Sequence, residues 1–193
     1  KVVSGTVGVD AVAVVYNIAD KSQSGISSKS IEAGLLIADG TKIVGSIVEV
    51  NGTEIESNKE MSDYSTLTGT DASGRTPAAS FAIGDLAGNL VKYEVDSDGD
   101  IHVWTIPADY DAAGNDTQIM GFDGTLVSDA VFNNSTDKVG TSGDSEDAKA
   151  RELADDAVVF VVNGTDAKVY TGRELKNTSG GAFGTTGTSF ASG

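Results

Sequence analysis

The residues best suited to chemistry in this chain are carboxylates crowded around one glycine, Asp96-Ser97-Asp98-Gly99-Asp100. Counted from Glu94, the acids and the glycine match the first, third, fifth and sixth positions of a helix-flanked calcium loop. The twelfth position, which should carry a bidentate Glu, is Thr105, and the flanks look like strands rather than helices. Counted from Asp96, the glycine falls out of place. Two readings follow: a plain Asp-Gly hairpin turn, or calcium held by Asp96, Asp98 and Asp100 at a hairpin tip.

Nucleophilic chemistry has a thinner basis. Gly187-Thr188-Ser189-Phe190-Ala191-Ser192 resembles the segment around the nucleophilic serine of subtilisin-like proteases over six residues. Those enzymes continue with proline where this chain has Gly193, and they need separate His and Asp motifs. The sole histidine, His102, sits in a strand-like Ile-His-Val-Trp, and no alternating α/β pattern exists to carry a triad. Low-complexity coincidence accounts for the match better. The chain has no cysteine, which excludes thiol catalysis, disulfides and Cys-based metal sites. It has no P-loop, no dinucleotide fingerprint and no second histidine for a zinc site. The expectation is a protein that is not an enzyme.

The elements that must position these residues read as strands. Val, Ile and Thr dominate the ordered-looking stretches, and β-branched side chains suit a pleated, half-buried surface. Twenty-four glycines supply turns for many short strands. Residues 2–18 are apolar on both alternating faces, as in a strand covered on both sides. Residues 20–34 are Ser-rich and read as a loop. Asp39-Gly40 and Asn51-Gly52 are turn signals on either side of a strand over Lys42–Val50. Residues 57–78 are polar and read as a long exposed loop.

Leu90–Val95 and Ile101–Ile106 flank the acidic turn as a β-hairpin. Residues 107–117 are a polar connection, and 118–133 hold one or two short strands. Residues 137–150 read as a surface loop, with a short helix over Ser145–Leu153 as an alternative. Ala157–Val162 and Ala167–Tyr170, joined at Asn163-Gly164, form a second hairpin whose first strand must be buried. The whole is an all-β domain over residues 1–176, an antiparallel β-sandwich or barrel built from hairpins with long polar loops. A division into two sub-domains would fall near residues 107–118. Residues 177–193 form a Gly/Ser/Thr-rich tail, either a linker or a segment ordered by a neighbour.

The apolar fraction of 39% is enough for a packed core. A net charge of −16 argues against nucleic acid, whose phosphates need clustered Lys and Arg, and against an anionic membrane surface. No apolar stretch is long enough for a membrane span. The chain opens on Lys1-Val2-Val3 without a signal peptide, as a processed chain or a fragment would. Asn51, Asn115, Asn133, Asn134, Asn163 and Asn177 each begin an N-x-Ser/Thr triplet, and several fall at turns where a glycan would fit.

Asp155-Asp156-Ala157-Val158-Val159-Phe160-Val161-Val162 and Lys168-Val169-Tyr170-Thr171-Gly172-Arg173-Glu174-Leu175 carry a family resemblance. They are similar to segments of the large cell-surface proteins of Firmicutes that bear S-layer homology domains. Gly88–Asp96 with Gly99-Asp100-Ile101 resembles the central hairpin of the same regions. The likeness covers about half the chain and implies a β-rich extracellular region contributing to a surface layer or filament. The S-layer homology domains themselves have no counterpart here, so no wall anchor is implied.

The function expected is therefore a secreted structural protein, located at the cell surface or wall, that self-assembles with copies of itself. Its apolar N-terminal strand could add to a neighbour's sheet edge. The alternative is a carbohydrate-binding β module, with cell-wall polysaccharide as partner and Trp104, Tyr93 and Tyr110 as exposed aromatics.

Overall fold

The computed structural model describes residues 11–22, 29–76, 80–106, 130–133, 138–141, 151–152, 154–156, 158–163, 166–177 and 189–192. Its first three strands run as a meander. β1 (Val12–Ser22) pairs antiparallel with β2 (Lys29–Ile37), which pairs antiparallel with β3 (Lys42–Val50). The stretch 20–34, expected as a loop, is strand at both ends. Its serines mask an inward row in which Ile31, Ala33 and Leu35 are buried, while Lys21 and Glu32 pair on the outside.

β4 (Thr53–Glu54) folds back on β3 through a two-residue turn, Asn51-Gly52, with φ of 52° and 78°. Positive φ at both positions is what a type I′ hairpin turn requires, and Asn-Gly supplies it at least cost. β5 (Leu90–Val95) and β6 (Ile101–Thr105) form the expected antiparallel hairpin. β5 then pairs antiparallel with β1, and β6 pairs parallel with β3. The strands thus close a ring, β1-β2-β3-β6-β5-β1. This is a five-stranded Greek-key barrel whose third and fifth strands are its one parallel pair, the connectivity of an OB-type barrel. A closed ring leaves no open edge in its wall.

β1 shows why its sequence is apolar on both faces. Ala13 and Val15 enter the barrel core, while Val14 between them is buried on the outer side. At Tyr16 the strand bulges, placing two β1 residues against one of β2, and the next inward side chain is Ile18. The Tyr16 ring lies against Gly34. A β-carbon there would overlap the ring, so no other residue fits without moving the tyrosine.

Of the described residues between β4 and β5, Ile55, Leu67, Phe81, Ile83 and Leu86 pack into the barrel core. The sequence reading of 57–78 as an exposed loop holds for most of its described residues, with two exceptions: Asp71 is buried, and Leu67 is buried and bridges to buried Phe81 beyond it. A 3-10 turn at Met61–Asp63 donates the Met61 N–H to Asp20 of β1, and a second at Ile83–Leu86 buries Ile83 and Leu86 fully. A few large side chains, each worth about 1.5–3 kcal/mol when fully buried, suffice to dock a polar segment.

Beyond the barrel, β7 (Ala130–Asn133), β8 (Lys138–Thr141) and β9 (Arg151–Glu152) form one antiparallel sheet. β8 falls within the surface loop expected over 137–150, because it pairs with β7, and β9 falls within the alternative helix over 145–153, where pairing with β8 outweighs local helix propensity. The rest of that helix, and the connection expected over 107–117, lie outside the described residues. β10 (Val158–Asn163) and β11 (Asp166–Thr171) are the second expected hairpin. Phe160 and Ala167 pack on Val14, Leu36, Leu90 and Ile106 of the barrel exterior, so the hairpin forms a second layer.

The helix that does form, α1 (Gly172–Asn177), follows β11 directly. Thr171 and Glu174 cap it reciprocally: the Glu174 N–H donates to Thr171 Oγ1 at 3.2 Å, and Glu174 Oε2 accepts the Thr171 N–H at 2.7 Å. Finally β12 (Ser189–Ser192), from within the Gly-rich tail, pairs antiparallel with the other side of β10.

Candidate functional site

Along β6 the burial alternates, with Ile101, Val103 and Thr105 inward and His102 and Trp104 on the outer wall. Their rings stack with centroids 6.5 Å apart and planes 17° from parallel. Glu94 and Lys92 of β5 stand opposite them, and parallel pairing brings Glu49 of β3 beside His102. His102 Nδ1 lies 3.8 Å from Glu49 Oε2, and its Nε2 lies 3.7 Å from Asp96 Oδ2. The result is an aromatic strip flanked by two carboxylates. Ile106, next on the same face, is covered by the β10–β11 layer, so the strip stops where the second layer begins.

The sequence points to His102 and Trp104 but not to Glu49. That omission is topological, because a parallel crossover pairing leaves no local signature. Tyr93, expected on the same surface as Trp104, faces the barrel interior, where burial raises its hydroxyl pKa above the ordinary value. Strand alternation puts it on the opposite face from Lys92 and Glu94. Tyr110 lies outside the described residues.

The acidic turn is a closed hydrogen-bonded ring. Asp96 Oδ1 accepts the N–H groups of Asp98 at 2.8 Å and Asp100 at 3.0 Å. The Gly99 N–H donates to the Asp96 carbonyl at 3.2 Å, with Gly99 at φ 89°. This is a three-residue hairpin loop, a type I turn ending in a left-handed glycine. The Asp100 N–H above all holds the Asp96 carboxyl below the ordinary carboxylate range; desolvation opposes it, and the Asp98 N–H and the His102 imidazole add to the lowering. One of its oxygens is therefore already committed to the backbone. Among the described residues, no group of three or more His, Asp or Glu side chains is placed to hold a metal ion.

Residues 71–75, Asp-Ala-Ser-Gly-Arg, repeat the same ring. Asp71 Oδ1 accepts the N–H groups of Ser73 at 2.8 Å and Arg75 at 3.0 Å, and the Gly74 N–H donates to the Asp71 carbonyl. This copy is buried at Asp71 and docks on the barrel, where the Ala72 N–H donates to the Thr105 carbonyl at 2.9 Å.

Asn51 overturns one expectation about modification. It is 1% exposed, its Nδ2 donates to Thr105 Oγ1 at 2.9 Å, and its Oδ1 accepts the Thr105 N–H at 2.8 Å. A glycan cannot be carried on that nitrogen in the folded protein. Asn133, Asn163 and Asn177 end β7, β10 and α1, while Asn115 and Asn134 lie outside the described residues. Ser189 sits in β12 opposite Val162, in a different sheet from His102.

Fold and strip together define a small OB-type barrel with an aromatic-acidic wall and an added β layer. No family model, no curated protein and no solved structure matches the chain.

Proposed function

We propose that the chain is a non-catalytic structural module of an extracellular surface layer or filament, associating with copies of itself. The flanks of β10 carry this reading. Its sequence Val158-Val159-Phe160-Val161-Val162-Asn163 has a hairpin partner on one side and, on the other, four residues from beyond α1. An apolar strand with a short neighbour is a template for strand addition, whereas the closed barrel wall offers none. The acidic surface and the resemblance of the β10–α1 region to bacterial surface-layer proteins support a place outside the cell.

Light scattering across a hundredfold concentration range, with negative-stain electron microscopy, tests the proposal. Mass rising with concentration and regular sheets or filaments are expected. A monomer at every concentration overturns it.

A second reading is favoured by the strip on β6: an oligosaccharide-binding barrel. OB-type barrels use the wall around their second and third strands and the loop between the fourth and fifth for such ligands. Here Glu49 lies on the third strand, and the corresponding loop is Asp96–Asp100. The transfer from fold to function is analogy. A cell-wall glycan that shifts Trp104 fluorescence in the wild type and fails to bind Trp104→Ala would establish it.

A further inference from the structure

We infer that β12 is an exchangeable strand: the β10 edge that receives Ser189–Ser192 of its own chain also receives the same segment of a second copy. The inference rests on self-association as the function and adds the surface through which it occurs. Three observations carry it.

The first is the isolation of β12 in the chain. β10 and β11 are joined through Asn163 and Asp166, but β12 is reached only after α1 and residues 178–188. Those eleven residues span up to roughly 36 Å at full extension. β11 ends with Thr171 opposite Val158, and β12 begins with Ser189 opposite Val162, about 13 Å along the sheet and two strand spacings, about 10 Å, across it. The six residues of α1 add at most about 9 Å to that return. The connection is therefore long enough to deliver the strand to a neighbouring receptor edge as well as to its own.

The second is the equality of the two arrangements. The pairs Val159–Ser192, Phe160–Ala191, Val161–Phe190 and Val162–Ser189 use the same backbone groups whether the strand comes from the same chain or another. What favours the closed form is the effective concentration set by the connection, in the millimolar range for short linkers. Crowding into a layer supplies comparable concentrations, so exchange carries little cost.

The third is direction. Each copy has one donor strand and one receptor edge, on different parts of its sequence, so the contact is heterologous. Repetition of a heterologous contact gives an open chain or a ring, not a closed pair, unless two copies exchange reciprocally.

The chain lacks cysteine, so introduced thiols report the pairing cleanly. Opposed residues of an antiparallel pair lie about 4.5–5.5 Å apart at Cα, within disulfide range. Val161→Cys and Phe190→Cys are made on separate full-length chains carrying different tags, mixed, and oxidised at rising concentration. Val162→Cys with Ser189→Cys is a second pair one step along, in case either first variant misfolds. A crosslinked dimer of unlike chains, increasing at least tenfold over a hundredfold rise in concentration, is expected. Crosslinking within the double variants but never between mixed single variants overturns the exchange. Failure in both formats overturns the β10–β12 pairing itself. Light scattering of the wild type separates these results from the broader proposal. Multimers without mixed crosslinks leave self-association standing on another surface, and monomers throughout remove both.

Discussion

Two five-residue segments, Asp71–Arg75 and Asp96–Asp100, fold into the same hydrogen-bonded ring and are used in opposite ways. Each begins with an aspartate whose Oδ1 accepts the N–H groups two and four residues on. Each has a glycine at its fourth position, with φ of 80° at Gly74 and 89° at Gly99. The first is tucked against β6, and the second is an exposed hairpin tip. Local sequence determines the ring, whereas the surroundings determine what the ring is for. The acidity of the exposed tip invites a calcium reading, yet its leading aspartate performs the same backbone task as its buried counterpart.

The two rings should differ most when the buried one is disrupted. Asp71→Ala removes the acceptor for Ser73, the Ser73 hydroxyl and Arg75, and should cost about 2–3 kcal/mol. The urea midpoint should fall with an unchanged slope. Asn51→Ala should cost about 2 kcal/mol, because Thr105 loses both side-chain partners in the core. Asn51 also accepts the Thr70 N–H on its carbonyl, so the two substitutions should be non-additive in a double-mutant cycle. Additivity would mean that the buried ring and the Asn51–Thr105 contact act independently.

Gly74→Ala and Gly99→Ala ask whether the two rings are equal in backbone terms. A β-carbon at either position would meet no atom within 4 Å, so each change costs only left-handed strain, about 1–2 kcal/mol. Equal losses in thermal melts would show that the backbone alone decides both, and a much larger loss at Gly74 would show that docking, too, depends on that glycine.

The exposed ring should give the smallest effects. The folded Asp96 carboxyl titrates below its unfolded value of about 3.9, so its stabilising contribution is complete above that pH and fades as pH falls through the folded value. Asp96→Asn keeps an acceptor but not the titration, and its acid unfolding curve should be flatter than that of the wild type below about pH 4. Calcium is the remaining check. A site with the affinity usual for extracellular modules would add about 0.4–1.4 kcal/mol at about 1 mM calcium. No gain would leave the tip a plain Asp-Gly turn, whereas a gain lost in Asp98→Asn and Asp100→Asn would establish the metal reading.

Much of the fold is legible in the sequence. β3, β5, β6, β10 and β11 lie where alternating apolar residues and Asp-Gly or Asn-Gly signals put them. β1 is also legible from its two apolar faces, over the part that is described. The rest depends on partners distant in sequence. The strand character of residues 29–34 shows in a few inward side chains among serines and charges, and the anchoring of the segment between β4 and β5 rests on Ile55, Leu67, Phe81, Ile83 and Leu86, scattered among polar residues. The Thr171–Glu174 capping box does have a local signal, since Thr-Gly-Arg-Glu fits the pattern of a capped helix start. Of the candidate strip, His102 and Trp104 can be read from alternation, but Glu49 requires the barrel to be closed.

That closure has a kinetic side. Asn51 and Thr105 are 54 residues apart, and β3 cannot meet β6 until the second hairpin strand exists. During synthesis at about 5–20 residues per second, the β1–β3 meander waits several seconds with its edges unpaired. Topologies dominated by such distant pairings fold in about milliseconds to seconds once complete. The chain therefore passes through an interval in which it is long, apolar and unclosed, a state open to a chaperone before the barrel shuts.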